Sequence, residues 1–460
     1  MSETYYHSTN LKALKVSFSE ALLKGLAPDG GLFMPQEIPQ FSKDEIAAFS
    51  NMQYHEIAAS VLQKFLGNSI PESEIGKMTH KAYDFEIPLE KVYDNKYVMR
   101  LDQGPTASFK DFAARMMGQL MQYFLQKEHR NMLILTATSG DTGSAMANAF
   151  YNLHNINIVV LFPETEVTPR QRKQMTTLHK NVQVIALDGK FDDCQALAKQ
   201  AFNDPELEFL NLSSANSINI GRLIPQAVYY IYAYSRLCDI ANNEQIVFSV
   251  PSGNFGDLMG GLLAMKMGLP VKKFVVSTNT NDEVPVYFAS GNYKTIVPSR
   301  NCISSAMNVG HPSNMARIVA LYGGVMNEKG EIIQKPDLEK MKADMYAISV
   351  DDSVTRETIK RVYERHNVLL EPHGAVGWEG LRQYLQNEGK DTADNQVCVS
   401  LETAHPAKFP EEITQILGID PELPKSLSDL EGKEEKFDHL KYKYEDFKEY
   451  LMKRYSQTKP

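Results

Sequence analysis

The run Asp102-Gln103-Gly104-Pro105-Thr106-Ala107-Ser108-Phe109-Lys110-Asp111-Phe112 sets a primary amine where its surroundings can turn it into a nucleophile. An extended segment over residues 97–101 reaches a Gly-Pro turn, and Ser108 stands where a helix N-cap is expected. Beyond it, Phe112, Met116, Met117, Leu120, Met121 and Phe124 recur at helical spacing and define one apolar face. Lys110 is therefore expected in the first turn, beside the positive end of the helix dipole, whereas a merely solvated lysine favours the last turn. Dipole and partial burial both disfavour the ammonium form and free the amine for nucleophilic chemistry. Taken alone, the same pattern also suits an ordinary surface lysine.

Two glycine-containing loops could receive anions. Thr136-Ala137-Thr138-Ser139-Gly140-Asp141-Thr142-Gly143 joins an apolar run to a helix, and its small residues leave main-chain N–H groups exposed at the helix start. It could equally be a capped strand–helix turn. Val250-Pro251-Ser252-Gly253-Asn254-Phe255-Gly256-Asp257 opens a second helix in the same way, and Asp257 there reads as a first-turn acid. It is neither a Walker A sequence nor GxGxxG, so a nucleotide site has no motif support. Between the loops, residues 211–222 crowd Asn216, Ser217 and Asn219 ahead of an aromatic-rich helix, and Arg222 offers a forked donor for phosphate or carboxylate. The alternative is that Asn216 or Ser217 caps that helix while Arg222 pairs with an acid. Glu371-Pro372-His373-Gly374 starts a further helix, with His373 read as a structural histidine, and Thr403 closes a strand in Leu401-Glu402-Thr403-Ala404-His405-Pro406-Ala407-Lys408-Phe409.

Together these segments resemble, in order from about residue 5 to residue 410, the motifs of the threonine synthases, pyridoxal-phosphate enzymes of the tryptophan-synthase-β (fold type II) superfamily. Gly104-Pro105-Thr106-x-x-Phe109-Lys110-Asp111-Phe112 is similar to their lysine motif, and residues 25–35 to their N-terminal signature. The usual opening Tyr-x-Ser-Thr-Arg-Gly appears as Tyr6-His7-Ser8-Thr9-Asn10-Leu11, without Arg-Gly. The resemblance implies that Lys110 forms the Schiff base with pyridoxal 5'-phosphate. It implies that Gly253, Asn254, Phe255 and Gly256 hold the cofactor phosphate and that Thr403 faces the unprotonated pyridine nitrogen. Ser139, Gly140, Asp141 and Thr142 would receive the substrate carboxylate, and Asn216, Ser217, Asn219 and Arg222 would line the pocket for the substrate phosphate. His405 and Lys408 match the motif without a comparable role. The implied reaction converts O-phospho-L-homoserine and water to L-threonine and phosphate, the last step of threonine biosynthesis, by γ-elimination and then β-addition of water. A related phospho-lyase releasing a 2-oxo acid is the close alternative. A non-catalytic pseudoenzyme or interaction protein is the distant one, and the intact Lys110, glycine loop and Thr403 argue against it.

The elements that must position these residues follow from composition and pattern. With 460 residues the chain has room for two to four domains, and 43% hydrophobic with 23% charged residues is the balance of a soluble globular protein. A net charge of −9 argues against a nucleic-acid binder and requires a local cationic pocket for any anionic substrate. Cys194, Cys238, Cys302 and Cys398 are scattered, with no CxxC pair and no histidine cluster, which predicts a reducing compartment and no metal site. Neither an apolar signal core nor a run of about 20 apolar residues is present, so a cytoplasmic protein without a membrane partner is expected, as monomer or homodimer.

Residues 1–95 read as a mainly helical N-terminal domain, with helices expected near 18–25, 44–49, 54–65 and 72–83. Over 96–410, strands at 132–136, 156–162, 182–187, 245–250, 273–277 and 397–401 alternate with helices at 142–153, 168–178, 191–202, 218–235, 255–266 and 354–366. That rhythm predicts an α/β fold with two parallel-sheet subdomains, the smaller over about 130–190, and ligands at the carboxyl ends of strands. Residues 411–460 read as a charged, solvated helical tail.

Overall fold

The computed structural model describes residues 4–138, 140–388 and 394–455. Four α-helices dominate the N-terminal region, Phe18–Lys24, Lys43–Ala48, Tyr54–Leu66 and Glu72–Ala82. Ser17 with Glu20 and Ser42 with Glu45 form capping boxes that start the first two, each satisfying otherwise unpaired helix-end donors. The antiparallel pair of Tyr6–Ser8 with Phe33–Pro35 brackets the first helix, and its connection is tied by the Asp29 carboxylate, which accepts from Ser8 Oγ and the main-chain N–H groups of Lys12, Ala13 and Gly31.

Two separate sheets form the α/β body. The larger has the order Met345–Ser349, Val271–Thr278, Ile246–Pro251, Val397–Glu402, Lys96–Arg100 and Leu89–Tyr93, parallel except for its last, hairpin-linked edge. The smaller runs Asp438–Lys441, Val182–Asp188, Ile156–Pro163, Met132–Ala137 and Leu212–Ser213, all parallel. Central strands such as Ile156–Pro163 are almost wholly buried, which is why they read as continuous apolar runs. One apolar core continues from Ile57, Leu62 and Phe65 through Phe112, Met116 and Met121 of the Lys110–Lys127 helix into both sheets.

Several local expectations are corrected. Ser108 caps nothing: the helix begins at Lys110 behind Phe109, and Ser108 instead makes an antiparallel bridge to Ala404. The helix expected from residue 218 starts at Ile224, after an irregular stretch and a short turn at Ile220–Arg222, so neither Asn216 nor Ser217 caps it. The C-terminal region is not a solvated tail. Asp438–Lys441 adds an edge strand to the smaller sheet, and the Tyr444–Tyr455 helix buries Phe447 and Leu451 against Leu135, Leu161 and Ile185. The smaller sheet thus extends beyond residues 130–190 at both edges. Among the described residues no helix is long and apolar enough to cross a membrane.

Candidate active site

The candidate residues gather at loops that follow strands. The Phe109 N–H donates to the Thr403 carbonyl at 2.9 Å and the His405 N–H to the Ala107 carbonyl at 3.0 Å, so the lysine turn is joined to the loop after the Val397–Glu402 strand. Asp111 holds the turn from the helix side, its carboxylate accepting from Thr106 N at 2.8 Å and Thr106 Oγ1 at 2.6 Å. Lys110 follows as the first helical residue, with its side chain 13% exposed and its amine 4.9 Å above the Phe109 ring. Burial lowers its pKa, Lys408 and Arg222 act in the same direction, and Asp141 and Glu371 oppose them. The lowered pKa expected from helix position thus comes chiefly from desolvation.

Lys110 Nζ lies 3.8 Å from Asp141 Oδ2, at the start of the Asp141–Phe150 helix. The other oxygen accepts from Lys408 Nζ at 2.6 Å and from Gln171 Nε2 at 3.0 Å. Burial alone would raise the Asp141 pKa, but Lys408 and Lys110 hold the carboxyl well below the usual range. Lys408 is fully buried and also donates to the Thr106 carbonyl at 3.0 Å. Motif reading left it without a role, because its partners Asp141 and Thr106 are remote in the chain. In the same loop the Gly140 and Gly143 N–H groups are spent on Thr138 Oγ1, whereas those of Asp141 and Thr142 find no acceptor among the described residues. Ser139 lies outside the described residues.

The second loop keeps the character of an anion cradle. The main-chain N–H groups of Gly253, Asn254, Phe255 and Gly256 meet no acceptor among the described residues, and Phe255, with φ of 60°, turns the chain into the Gly256–Lys266 helix. The Asn254 side chain donates to Ser217 Oγ and accepts from Ser313 N at 2.6 Å, which locks the loop from outside. A Cβ on Gly253 would sit 2.8 Å from the Ala306 carbonyl oxygen, so only glycine fits there. Asp257 is more than a dipole-favoured acid: it is buried, takes the Tyr229 and Tyr230 hydroxyls on one oxygen and has its other oxygen unpaired.

Arg222 is buried without a carboxylate partner among the described residues. Its Nη1 donates to the Ala215 carbonyl at 2.8 Å, its Nε has no acceptor, and burial lowers its pKa to about 10. An unneutralised guanidinium beside Lys110 fits a phosphate or carboxylate. Asn216 is half-buried, while Asn219 is turned inward: its amide donates to the Leu22 and Ser214 carbonyls and its oxygen accepts from Gly221 N. Asn219 shapes the loop and has no free group for a ligand. Thr403 is 7% exposed, and Oγ1 lies 3.3 Å from Glu371 Oε1, a second residue that the motifs left unassigned. Unused N–H groups in a glycine-shaped cradle and a buried lysine with a lowered pKa fit pyridoxal phosphate.

Comparison with known proteins agrees along the whole chain. Family models described as Threonine synthase N terminus, Pyridoxal-phosphate dependent enzyme and Threonine synthase, C-terminal match residues 5–83, 88–402 and 374–451. Threonine synthase of Serratia marcescens is 40% identical over 415 residues, 90% of this chain and 91% of the relative. That of Escherichia coli K12 is 40% identical over 416 residues, with the same coverage. The crystal structure of pyridoxal-phosphate-bound threonine synthase from Brucella melitensis superimposes with a TM-score of 0.90 at 36% identity, covering 97% of this chain and 98% of that one. The yeast threonine synthase structure gives 0.89 at 29% identity, covering 98% and 99%. The fold is that of a fold type II enzyme whose cofactor is pyridoxal phosphate. Within that class, the chain belongs to the threonine synthase family.

Proposed function

We propose that the cleft converts O-phospho-L-homoserine and water into L-threonine and phosphate, with Lys110 as the residue bonded to the cofactor. The observation that carries this is the Lys110 amine itself, desolvated at a helix start and near two loops with unused N–H groups and Arg222, which has no carboxylate partner among the described residues. Pyridoxal phosphate, when bound, supplies the electron sink for carbanion charge next to the substrate amine. Gly253, Asn254, Phe255 and Gly256 would hold its phosphate through their main-chain N–H groups. Lys110 would then move protons at the substrate Cα and Cβ, the work of a general acid–base amine whose pKa has been brought down.

Substrate anions have two places to go. The Asp141 and Thr142 N–H groups suit the carboxylate, and Lys408 neutralises the Asp141 side chain that would otherwise repel it. Arg222, with Asn216 and Ser217 on the same loop, suits the substrate phosphate. The four cysteines are free thiols, with Cys194 and Cys398 buried, in keeping with a reducing, cytoplasmic setting. We take the working unit to be a monomer or homodimer, a point that sedimentation decides.

Purified, cofactor-loaded protein is incubated with O-phospho-L-homoserine and the products are resolved. Threonine and phosphate in equal amounts, abolished in Lys110→Ala, are expected. Release of a 2-oxo acid with the phosphate would overturn the assignment in favour of a phospho-lyase.

A further inference from the structure

We propose that Arg317 is a positioning residue for the cofactor phosphate: its buried guanidinium fastens the loop at residues 216–222 to the Gly253–Gly256 cradle from behind and supplies a positive charge that the bound phosphate would balance. This rests on the reading that the cradle holds that phosphate.

Arg317 lies in the Met315–Leu321 helix, outside the motifs read from the sequence, and is fully buried. Its three nitrogens are spent on uncharged oxygens. Nε donates to the Phe33 carbonyl at 3.0 Å, and Nη2 to the Ile218 carbonyl at 2.6 Å. Nη1 donates to the Ser217 carbonyl at 3.1 Å and to Asn314 Oδ1 at 2.7 Å. One head group thus joins the Phe33–Pro35 strand, the 216–222 loop and the residue that precedes its own helix. Asn314 carries the link onward, since its amide donates to the Asn254 carbonyl at 3.0 Å and to the Ser217 carbonyl at 3.3 Å. Asn254 closes the circuit, accepting from Ser313 N at 2.6 Å and donating to Ser217 Oγ at 2.5 Å. Gly256 lets the two loops approach, because a Cβ there would come 3.3 Å from Ser217 Cβ. Two loops far apart in the chain therefore form one body, with Arg317 behind their junction.

The charge of that body is one-sided. Among the described residues Arg317 forms no ion pair, and burial alone brings its pKa down to about 9, which leaves it charged at neutral pH. Carbonyl dipoles replace part of the lost hydration, but a buried charge without an opposite partner stays uncompensated. In a water-poor interior such a charge acts beyond its hydrogen-bonding distance. Arg222, on the same loop, is likewise buried without a carboxylate partner among the described residues. In a chain of net charge −9 this is a local positive region, and its open side is the row of unused N–H groups at Gly253–Gly256. A doubly charged phosphate is the ligand chemistry that matches it.

The test titrates the full-length protein with pyridoxal phosphate and with pyridoxal, which lacks the phosphate, following the absorbance of the bound cofactor. The quantity read is the ratio of the two affinities, which a variant that merely loosens the fold leaves in place because both affinities fall together. Arg317→Gln keeps a donor amide without the charge and is expected to lower the preference for the phosphate form about tenfold or more. Arg317→Lys keeps the charge and is expected to hold the preference within about threefold. An unchanged ratio in Arg317→Gln overturns the proposal, and so does an equal loss in both variants, since charge is then not what acts. If Arg317→Gln does not fold, Arg317→Lys still decides, because loss of the preference there overturns the proposal. An unmodified protein that binds pyridoxal as well as pyridoxal phosphate removes the underlying reading. A preference that is present in the unmodified protein and unaltered in Arg317→Gln leaves that reading standing and sinks the proposal alone.

Discussion

Removing the Lys408 ammonium would leave the Asp141 carboxylate buried, with Gln171 and a lysine 3.8 Å away as its remaining partners. Breaking such a pair costs about 3–5 kcal/mol, because one charge stays buried without compensation. Lys408→Met is therefore expected to lower the unfolding free energy of the cofactor-free protein by that order, read from its urea transition, and an unchanged midpoint would refute the pairing. Asp257 gives a pH signature. Burial pushes its pKa up to about 6 from an ordinary 3.8, against the opposing Tyr229 and Tyr230 hydrogen bonds. Between these values the folded protein holds more protons than the unfolded chain. The stability Asp257 contributes is thus complete below about pH 3.8 and is lost as pH rises through about 6. Asp257→Asn should flatten that fall, on the order of 2–3 kcal/mol, in thermal unfolding followed across this window. At this scale the turns that hold Lys110 and Gly253–Gly256 were legible because each is one contiguous stretch. Lys408 and Glu371 were not, since a side chain has no meaning as a partner until the fold brings Asp141 or Thr403 to it.

Elements with strong internal periodicity were also legible, and those defined by a neighbour were not. The Phe191–Phe202 helix and the Met132–Ala137 and Ile156–Pro163 strands appear where the apolar pattern placed them. Met345–Ser349 was missed: it is an edge strand whose residues are mostly half-buried, so it lacks the continuous apolar run of a central strand. The Pro372–Glu388 helix shows what an element needs beyond periodicity. Gly374, Gly377 and Gly380 lie on the face turned to the larger sheet, where added Cβ atoms would come 1.6 Å from Glu402 Oε2, 3.2 Å from Ser400 Oγ and 2.0 Å from Ser277 Oγ. The helix packs that closely only because these positions carry no side chain. Gly380→Ala, remote from the proposed chemistry, should cost about 1–3 kcal/mol by overpacking, measured by urea unfolding. Retention of full stability would show that the helix can move outward at no cost.

For the whole molecule, the decisive feature is that the C-terminal region completes the smaller sheet despite its charge pattern: Asp438–Lys441 pairs with Val182–Asp188. Arg172 secures the approach through Glu435 at 2.9 Å, and Phe447 and Leu451 close the apolar layer over Leu135 and Leu161. Deleting residues 434–460 should cost about 3–6 kcal/mol from these two side chains alone, seen as a lowered urea midpoint or loss of soluble protein. A truncated chain of unchanged stability would return the region to the status of a tail. By itself the sequence determined the lysine turn, the two glycine-containing loops at helix starts and the alternation of strand and helix, because local hydrogen bonding and apolar periodicity are written in neighbouring residues. Only the tertiary structure decided that Ala107 and Phe109 are zipped to Thr403 and His405, that Lys408 neutralises Asp141, that Glu371 meets Thr403, and that a charged terminal segment is an edge strand. Each of those is a pairing between distant segments, and its energy exists only once desolvation and sheet geometry have chosen the partners.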